Sequence, residues 1–199
     1  SGTLAYTASV AHSVSSLIVT PTTNDANATA TVNGASPATP VTLAVGGTTV
    51  TVQVTAQDGS TQSYTVAVTR AASSDATLSA LALSQGSLSP SFASGTLAYT
   101  ASVAHSVSSL IVTPTTNDAN ATATVNGASP ATPVTLSVGS NTVTVQVTAQ
   151  DGTTQSYTVA VTRAAASSDA TLSALALSSS SLSPSFTSGT LAYTASVAH

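Results

Sequence analysis

Two stretches of strict apolar–polar alternation restrict the folds that are open to this chain of 199 residues. Residues 142–148 read TVTVQVT and residues 156–162 read SYTVAVT. A period of two residues is typical of a strand with one buried face, and Asp151-Gly152 between the two stretches is typical of a turn. They predict a β-hairpin whose valines and Tyr157 share one face. That face requires a second sheet to cover it. The same hairpin is predicted for residues 49–70.

The hairpin belongs to a longer repeat. The sequence SGTLAYTASVAH begins at residues 1, 94 and 188, so successive copies are offset by 94 − 1 = 93 and 188 − 94 = 94 residues. The additional residue is an alanine in the run 164–166. A tolerated insertion is typical of a surface connection, which predicts a linker there. The near-identity of the copies indicates a window on a longer tandem array.

These offsets predict the domain organisation. Residues 1–70 are expected to form a repeat without its opening strand, which leaves an exposed sheet edge. Residues 75–163 are expected to form one complete repeat, and residues 169–199 the N-terminal part of a third. The predicted linkers are residues 71–74 and 164–168.

Composition favours strands throughout. Charged residues make up only 4% of the chain, against about 25% in ordinary domains. Lys, Glu, Cys, Met and Trp are absent, while the β-formers Thr and Val are abundant. The hydrophobic content of 42% argues against disorder. The expected fold class is all-β.

Seven or eight short strands are expected in the complete repeat, which favours an antiparallel β-sandwich. Leu78, Leu81 and Leu83 depart from a period of two, which predicts a bulge or a short irregular stretch in the opening strand. Asn126-Gly127 predicts a hairpin turn. A strand beginning at residue 108 is expected to end before Pro114.

Several motifs together resemble the bacterial cadherin-like β-sandwich repeat family. They are DATLSAL from residue 75, GSLSPSF from residue 86, YTASV from residue 99, NTVTV from residue 141, AQDGT from residue 149 and YTV from residue 157. The resemblance covers the complete repeat and both partial ones. It implies tandem immunoglobulin-like sandwiches in a large secreted or surface-attached protein, and it implies no catalytic residues.

Other function classes find little support in the sequence. Two arginines cannot form a basic patch, so nucleic acid is not an expected partner. No apolar run reaches the roughly 18 residues of a membrane-spanning helix. Without cysteine the chain forms no disulfide and no thiolate metal site. No nucleophile has a base and an orienting partner beside it, so neither an enzyme nor a cofactor is predicted.

The aspartates and histidines could bind a metal ion or serve a structural role. Calcium requires six to eight oxygen ligands, whereas each junction between predicted repeats supplies one carboxylate, at Asp75 or Asp169. Asp118 and Asp151 lie in separate predicted loops, and a turn-capping role is the expected one for these aspartates. The three histidines, His12, His105 and His199, each end a predicted strand without an acidic neighbour. A hydrogen-bonding role is therefore expected for them, and a metal site shared between copies is the alternative.

A few further positions are candidate sites. Asn27 and Asn120 each begin an Asn-Ala-Thr triplet, which fits the N-glycosylation pattern but also arises by chance in a Thr-rich chain. Candidate inter-repeat contacts pair Arg70 with Asp75 and Arg163 with Asp169; an exposed pair of this kind stabilises by at most about 1 kcal/mol. An isopeptide bond is excluded because it requires lysine. An ester link through Gln146 or Gln155 lacks a nearby acid.

The sequence favours a structural role. We expect the repeats to form a stalk, an adhesin shaft or a self-associating filament outside a bacterial cell. The expected partners are neighbouring repeats and other copies of the chain, because very low charge removes repulsion between them. The alternative is a module that binds a carbohydrate or a surface receptor. That function requires an exposed aromatic platform, and the chain has only five Tyr and two Phe.

Overall fold

The computed structural model describes residues 4–197, which contain strands and no helix. The chain is all-β, as predicted. The fourteen strands are β1 (Ala5–Val10), β2 (Ser16–Leu17), β3 (Thr29–Val32), β4 (Val41–Thr42), β5 (Gly46–Thr55), β6 (Thr61–Arg70), β7 (Leu78–Leu83), β8 (Ala98–Val103), β9 (Ser109–Leu110), β10 (Val112–Thr116), β11 (Thr122–Val125), β12 (Val134–Thr135), β13 (Gly139–Thr148) and β14 (Thr154–Arg163). Strands β1–β6 belong to the first repeat and β7–β14 to the second.

The main sheet of the second repeat is built around the predicted hairpin. Its strand order is β11-β13-β14-β8, and β13 pairs antiparallel with β14 over their full length. The first strand of this sheet in the chain, β8, pairs in parallel with the last, β14. Val145 lies opposite Tyr157 and Val143 opposite Val159, and all four side chains are fully buried. The predicted shared face is therefore confirmed, as is the turn, where Gly152 has a φ of 91°.

The second layer of this repeat consists of two short sheets, β7–β10 and β9–β12. Leu78 and Leu81 of β7 are buried in the core, with exposures of 0% and 5%. The predicted bulge is confirmed: Thr115 pairs with Ala80 and Thr116 with Leu78, so Ser79 is the additional residue. The Tyr157 hydroxyl accepts the backbone N–H of Leu78 at 2.9 Å, which joins β7 to the main sheet.

The expectation that a strand ends before Pro114 is wrong. Strand β10 runs through this residue, and Pro114 pairs with Leu81 of β7. Within its two-stranded sheet β10 has a single neighbour, so a residue without an N–H is tolerated there.

The first repeat forms the same main sheet without the second layer's opening strand. Its strand order is β1-β6-β5-β3, with β1 parallel to β6. The registers repeat those of the second sheet: Ala5 pairs with Thr65 as Ala98 pairs with Thr158. Opposite this sheet, the described part of the first repeat forms one two-stranded sheet, β2–β4. Residues 19–23, which have the sequence of β10, form no strand.

Residues 169–197 repeat the beginning of the second repeat but form no regular strand. Part of the local structure is nevertheless retained. Ser183 forms an isolated bridge with Thr194, and the rings of Phe186 and Tyr193 stack at 6.0 Å, as Phe92 and Tyr99 do at 6.1 Å. Four of its five leucines are exposed, among them Leu172 at 57% and Leu175 at 38%, and Leu182 is half-buried.

Candidate functional site

The last strand of each repeat ends in an arginine that is bound within its own repeat. Arg70 donates from Nε and Nη2 to the carbonyl oxygen of His12, at 2.8 and 2.6 Å, and from Nη1 to that of Leu43, at 3.0 Å. Arg163 binds the carbonyls of His105 and Leu136 in the same way, at 2.7 to 3.0 Å. A guanidinium presents its donors in a fixed planar fork. Each arginine therefore joins the end of the last strand of its repeat, by hydrogen bonds, to the two loops that contain these carbonyl groups.

Ser73 forms the centre of the seam between the two repeats, which we define as residues 71–75 and the turn at 149–153. It is buried, with 5% exposure. Its N–H donates to Oε1 of Gln150 at 3.2 Å, and its carbonyl accepts the N–H of Asp151 at 3.0 Å. The hairpin turn of the second repeat thus forms hydrogen bonds with both backbone groups of Ser73, its N–H and its carbonyl oxygen.

Two aspartates extend the seam into the second repeat. The Asp75 carboxylate accepts the N–H of Thr77 at 2.9 Å and the side-chain amide of Asn117 at 2.7 Å. The hydrogen bond from the Thr77 hydroxyl, and then that from Asn117, lowers the pKa of Asp75. The pKa of Asp118 is lowered chiefly by a hydrogen bond from the Ser73 side chain and to a smaller extent by the charge of His12. A residue of the first repeat thus acts on a carboxylate of the second.

The candidate pairs Arg70–Asp75 and Arg163–Asp169 stay predictions. The hydrogen bonds described for both arginines go to carbonyl oxygens of their own repeats. Those of the Asp75 carboxylate lie within the second repeat, and Asp169 accepts from the N–H and hydroxyl of Thr171 two residues on. The contacts described at the seam join Ser73 of the linker to Gln150 and Asp151 of the second repeat, because backbone groups of the linker need partners when they are buried.

The histidines lie beside the linkers. Nδ1 of His12 is 3.3 Å from the carbonyl oxygen of Ala71, and Nδ1 of His105 is 3.2 Å from that of Ala164. His199 lies outside the described residues. Within residues 4–197 no three His, Cys, Asp or Glu side chains are grouped as metal ligands.

Both candidate glycosylation asparagines are exposed. Each follows an aspartate by two residues, and its N–H donates to that carboxylate, at 2.9 Å for Asn27 and 2.8 Å for Asn120. The side-chain amides bind the same oxygens, at 3.2 and 3.0 Å. The local turn is therefore fixed, and modification at these positions stays a prediction.

The first repeat carries an open groove where the second repeat has β7. The open groove has a volume of about 530 Å³, and its apolar lining consists chiefly of Tyr6, Val19, Pro21, Val52, Tyr64 and Val66. Tyr6 is 50% exposed, whereas the equivalent Tyr99 of the second repeat is 3% exposed. The groove is thus lined by residues whose counterparts in the second repeat belong to the buried core.

Comparison with known sequences identifies the family. The sequence model of the cadherin-like beta sandwich domain matches residues 1–71 and 76–164. The chain therefore belongs to this family, and the resemblance seen in its motifs is confirmed. Domains of this family are typically structural, and within residues 4–197 no helix is long and apolar enough to cross a bilayer.

Individual relatives are more distant. The chain is 37% identical over 97 residues to a protein of Evansella cellulosilytica described as a "Putative membrane protein", and the match covers 46% of this chain but 15% of that protein. The solved structure of PcdhgB3 EC1-4 is similar with a TM-score of 0.32 and 10% identity, covering 81% of this chain and 49% of the other. The fibronectin(III)-like modules of CbhA from Clostridium thermocellum give a TM-score of 0.22 and 14% identity, covering 81% and 90%.

Sequence reasoning missed the residues that form the seam. Gln150 and Asp151 belong to a turn that was explained by its hairpin alone. One signal was available: Ser73 lies in a linker two residues before Asp75, so its backbone groups lack partners in any predicted strand.

Proposed function

We propose that the chain is a structural segment of an extracellular bacterial protein, in which tandem sandwiches act as a stalk or shaft of defined length. The observation that carries this proposal is the seam. Four residues separate the predicted repeats, and the buried Ser73 among them is held by Gln150 and Asp151. Such a connection limits bending, because the N–H of Ala71 is bonded to Val10 of the first repeat and Ser73 to the turn of the second, which leaves only Ala72 between the two points of attachment.

The composition supports a location outside the cell. Without lysine the chain offers few trypsin sites, and without cysteine or methionine it offers no sulfur to oxidise. Its surface consists largely of Ser and Thr. We propose further that the chain has no enzymatic activity of its own and that its partners are neighbouring repeats and other copies.

The stiffness of the seam can be measured directly. Because the chain has no cysteine, the exposed pair Ala38→Cys and Ala131→Cys, one in each repeat, takes two dyes specifically. Single-molecule energy transfer is expected to give a narrow distance distribution. Gln150→Ala should broaden it, whereas Gln57→Ala, the equivalent change in the first repeat's turn, should leave it unchanged. A broad distribution in the unsubstituted chain would contradict the proposed stalk.

Carbohydrate binding is the second candidate, and one observation favours it. Tyr6 and Tyr64 line the open groove, so the first repeat exposes aromatic surface. The equivalent Tyr99 and Tyr157 are buried in the second repeat, where β7 covers the main sheet. Binding on a glycan array that is lost in Tyr6→Ala would favour this candidate over the structural one.

A further inference from the structure

We propose that the outer face of each main sheet binds ice. This threonine face consists of the residues of β8, β11, β13 and β14 that point away from the core, and of their counterparts in β1, β3, β5 and β6. The inference goes beyond the proposed structural role and does not depend on it. The ligand is the ordered water at the surface of a growing ice crystal.

Threonines on this face stand in line across neighbouring strands. In the second repeat Thr122 pairs with Thr148, which pairs with Thr154 on the next strand. Thr144 pairs with Thr158 in the same way. Neighbouring strands lie about 4.8 Å apart, and alternate residues of one strand about 6.6 Å apart. The hydroxyl and methyl groups therefore form a two-dimensional grid, at spacings of the same order as those between water molecules on an ice surface.

The first repeat carries the same grid. Thr29 pairs with Thr55, which pairs with Thr61, and Thr51 pairs with Thr65. The registers of the two main sheets are identical, so the grid is a property of the repeat. The chain thus presents the threonine face twice.

Charged side chains are kept off the threonine face. All six aspartates of the chain lie in turns or connections. The two arginines, Arg70 and Arg163, end their strands in the phase of the buried valines and bind loop carbonyls. In the second repeat the outward positions are occupied by Thr, Ser and Ala, with Gln146 as the one exception. A charged group would retain a water shell of its own and interrupt an ordered layer of water on the sheet.

The side chains of the face are stiff, and most of their hydroxyls are available. Threonine is β-branched, which restricts its side-chain rotamers on a strand. The hydroxyls of Thr100 and Thr158 donate to backbone carbonyls at the β8 edge, whereas those of Thr142, Thr144 and Thr148 bind no other residue within 4–197. A hydroxyl both donates and accepts hydrogen bonds. The face can therefore hold water molecules at fixed positions.

Other ligands fit this chemistry less well. A second copy packed on the face would remove its hydroxyls from water, which costs free energy wherever a hydroxyl finds no partner. Binding sites for small ligands are concave and rich in aromatic side chains, whereas Tyr99 and Tyr157 of this main sheet are buried in the core. Ice offers a donor or an acceptor to each hydroxyl, and the methyl groups fit between its water molecules.

Each face is expected to bind weakly by itself. A β-sheet is twisted, so only part of the grid can meet a flat crystal plane at one time. The strongest contact is expected from β13 and β14, the ten-residue strands in the middle of the sheet. Two faces on one chain act together, because attachment of the first raises the local concentration of the second at the crystal.

The test measures how much of the full chain enters growing ice. One dye is attached through Ala38→Cys, an exposed loop position in a chain without cysteine, and its amounts in slowly grown ice and in the remaining liquid are compared. We expect the chain to enter the ice. Thr49→Lys combined with Thr142→Lys, one exposed position on each face, should lower the fraction in ice at least about tenfold, because the ammonium group retains its own water. Thr142→Lys alone should give an intermediate value.

A matched control places the same charges outside the main sheets. Thr20→Lys combined with Thr113→Lys, both at exposed positions, should change the fraction in ice less than about twofold. Circular dichroism should show the same strand content in both double variants. A wild-type chain that stays in the liquid, or equal effects of the two double variants, would overturn the proposal.

Two further measurements separate ice from other ligands of the same face. Light scattering reports self-association, and retention on insoluble polysaccharide reports carbohydrate binding. If the Thr49→Lys and Thr142→Lys pair abolishes either of these and leaves the uptake into ice unchanged, the face belongs to that ligand and the proposal is wrong. The energy-transfer measurement tests the stalk separately, since none of these substitutions lies in the seam.

Discussion

The two repeats differ in burial far more than in sequence. Residues 1–70 and 94–163 differ at four positions only, Ala44/Ser137, Gly47/Ser140, Thr48/Asn141 and Ser60/Thr153. Both form the four-stranded main sheet in the same register. Yet Tyr157 and Val159 are fully buried in the second repeat, whereas the equivalent Tyr64 and Val66 are only partly buried in the first.

The difference shows which part of the sandwich depends on which residues. The main sheet forms from local alternation and hairpin turns, and it needs no contact with β7. One half of the second layer depends on β7: without it, residues 19–23 form no strand although they have the sequence of β10, whereas β2–β4, the counterpart of β9–β12, still pairs. One short strand thus decides whether half of the core is covered.

Leu78 is the main core residue of β7, and replacing it should have the largest effect on the difference in burial between the two repeats. Leu78→Ala should destabilise the second repeat by about 2–5 kcal/mol, because Leu78 is fully buried and leaves a cavity. Denaturant unfolding followed by NMR signals from each repeat would measure this. Leu172→Ala, measured at concentrations where the chain is monomeric, should change neither transition by more than about 0.5 kcal/mol. Equal effects of the two substitutions would contradict this account.

A smaller effect is expected at the end of β7. Gly86→Ser should destabilise the second repeat by about 1–3 kcal/mol, since a side chain at a φ of 76° is strained and its Cβ would press on the Ser102 carbonyl. Thermal unfolding of the second repeat measures the loss. The neighbouring Ser87→Ala serves as the control, and its transition should stay where it is. A Gly86→Ser variant as stable as wild type would show that the chain can rearrange there at little cost.

Asn141 and its counterpart Thr48 can be exchanged between the two repeats. Asn141 accepts the N–H of Ser137 at 2.9 Å and donates to its carbonyl at 2.8 Å, and the first repeat has the shorter Thr48 instead. Asn141→Thr should therefore destabilise the second repeat by about 1 kcal/mol. Thr48→Asn should stabilise the first by a similar or smaller amount. Hydrogen exchange of the two loops would report both changes, and a destabilised first repeat in Thr48→Asn would refute the assignment.

The smallest effect is expected on the stability of the second repeat at acidic pH, when Asp75 is replaced. The pKa of Asp75 is lowered by its hydrogen bonds from Thr77 and Asn117, so the charged form is favoured in the folded state. Its contribution is present above the unfolded pKa of about 3.9 and is lost as the pH falls through the lower folded value. Unfolding of the second repeat below pH of about 4 should therefore be less steeply pH-dependent in Asp75→Asn. Asp169→Asn, which alters the same local motif outside both folded repeats, should not change this profile.

Much of the fold was predictable because its strands alternate and its turns are short. The positions of Val143, Val145 and Tyr157 follow from a period of two, and the turns at Gly127 and Gly152 from residues that accept a positive φ. The path of β10 through Pro114 was not predictable, because it depends on whether the strand has one neighbour or two.

The candidate site was less accessible to sequence reasoning. The charges of Arg70 and Asp75 predict a pair across the linker, which stays a prediction, and the hydrogen bonds of the arginines to carbonyl oxygens of distant loops were not predictable. Every residue has a backbone carbonyl oxygen, so the sequence does not indicate which of them accept these hydrogen bonds. The seam likewise uses backbone groups of Ser73 and Asp151, whose proximity arises only when the linker lies against the hairpin turn of the second repeat.

The parallel pairing of β8 with β14 has a mechanical consequence. The chain leaves the second repeat along β14, which lies between β13 and β8. Tension applied along the chain therefore pulls β14 lengthwise past both neighbours, so that its hydrogen bonds lie across the direction of the force. The ladder has to yield as a whole, because no end of it can be peeled away bond by bond, and a repeat built in this way resists stretching along the whole of its final strand.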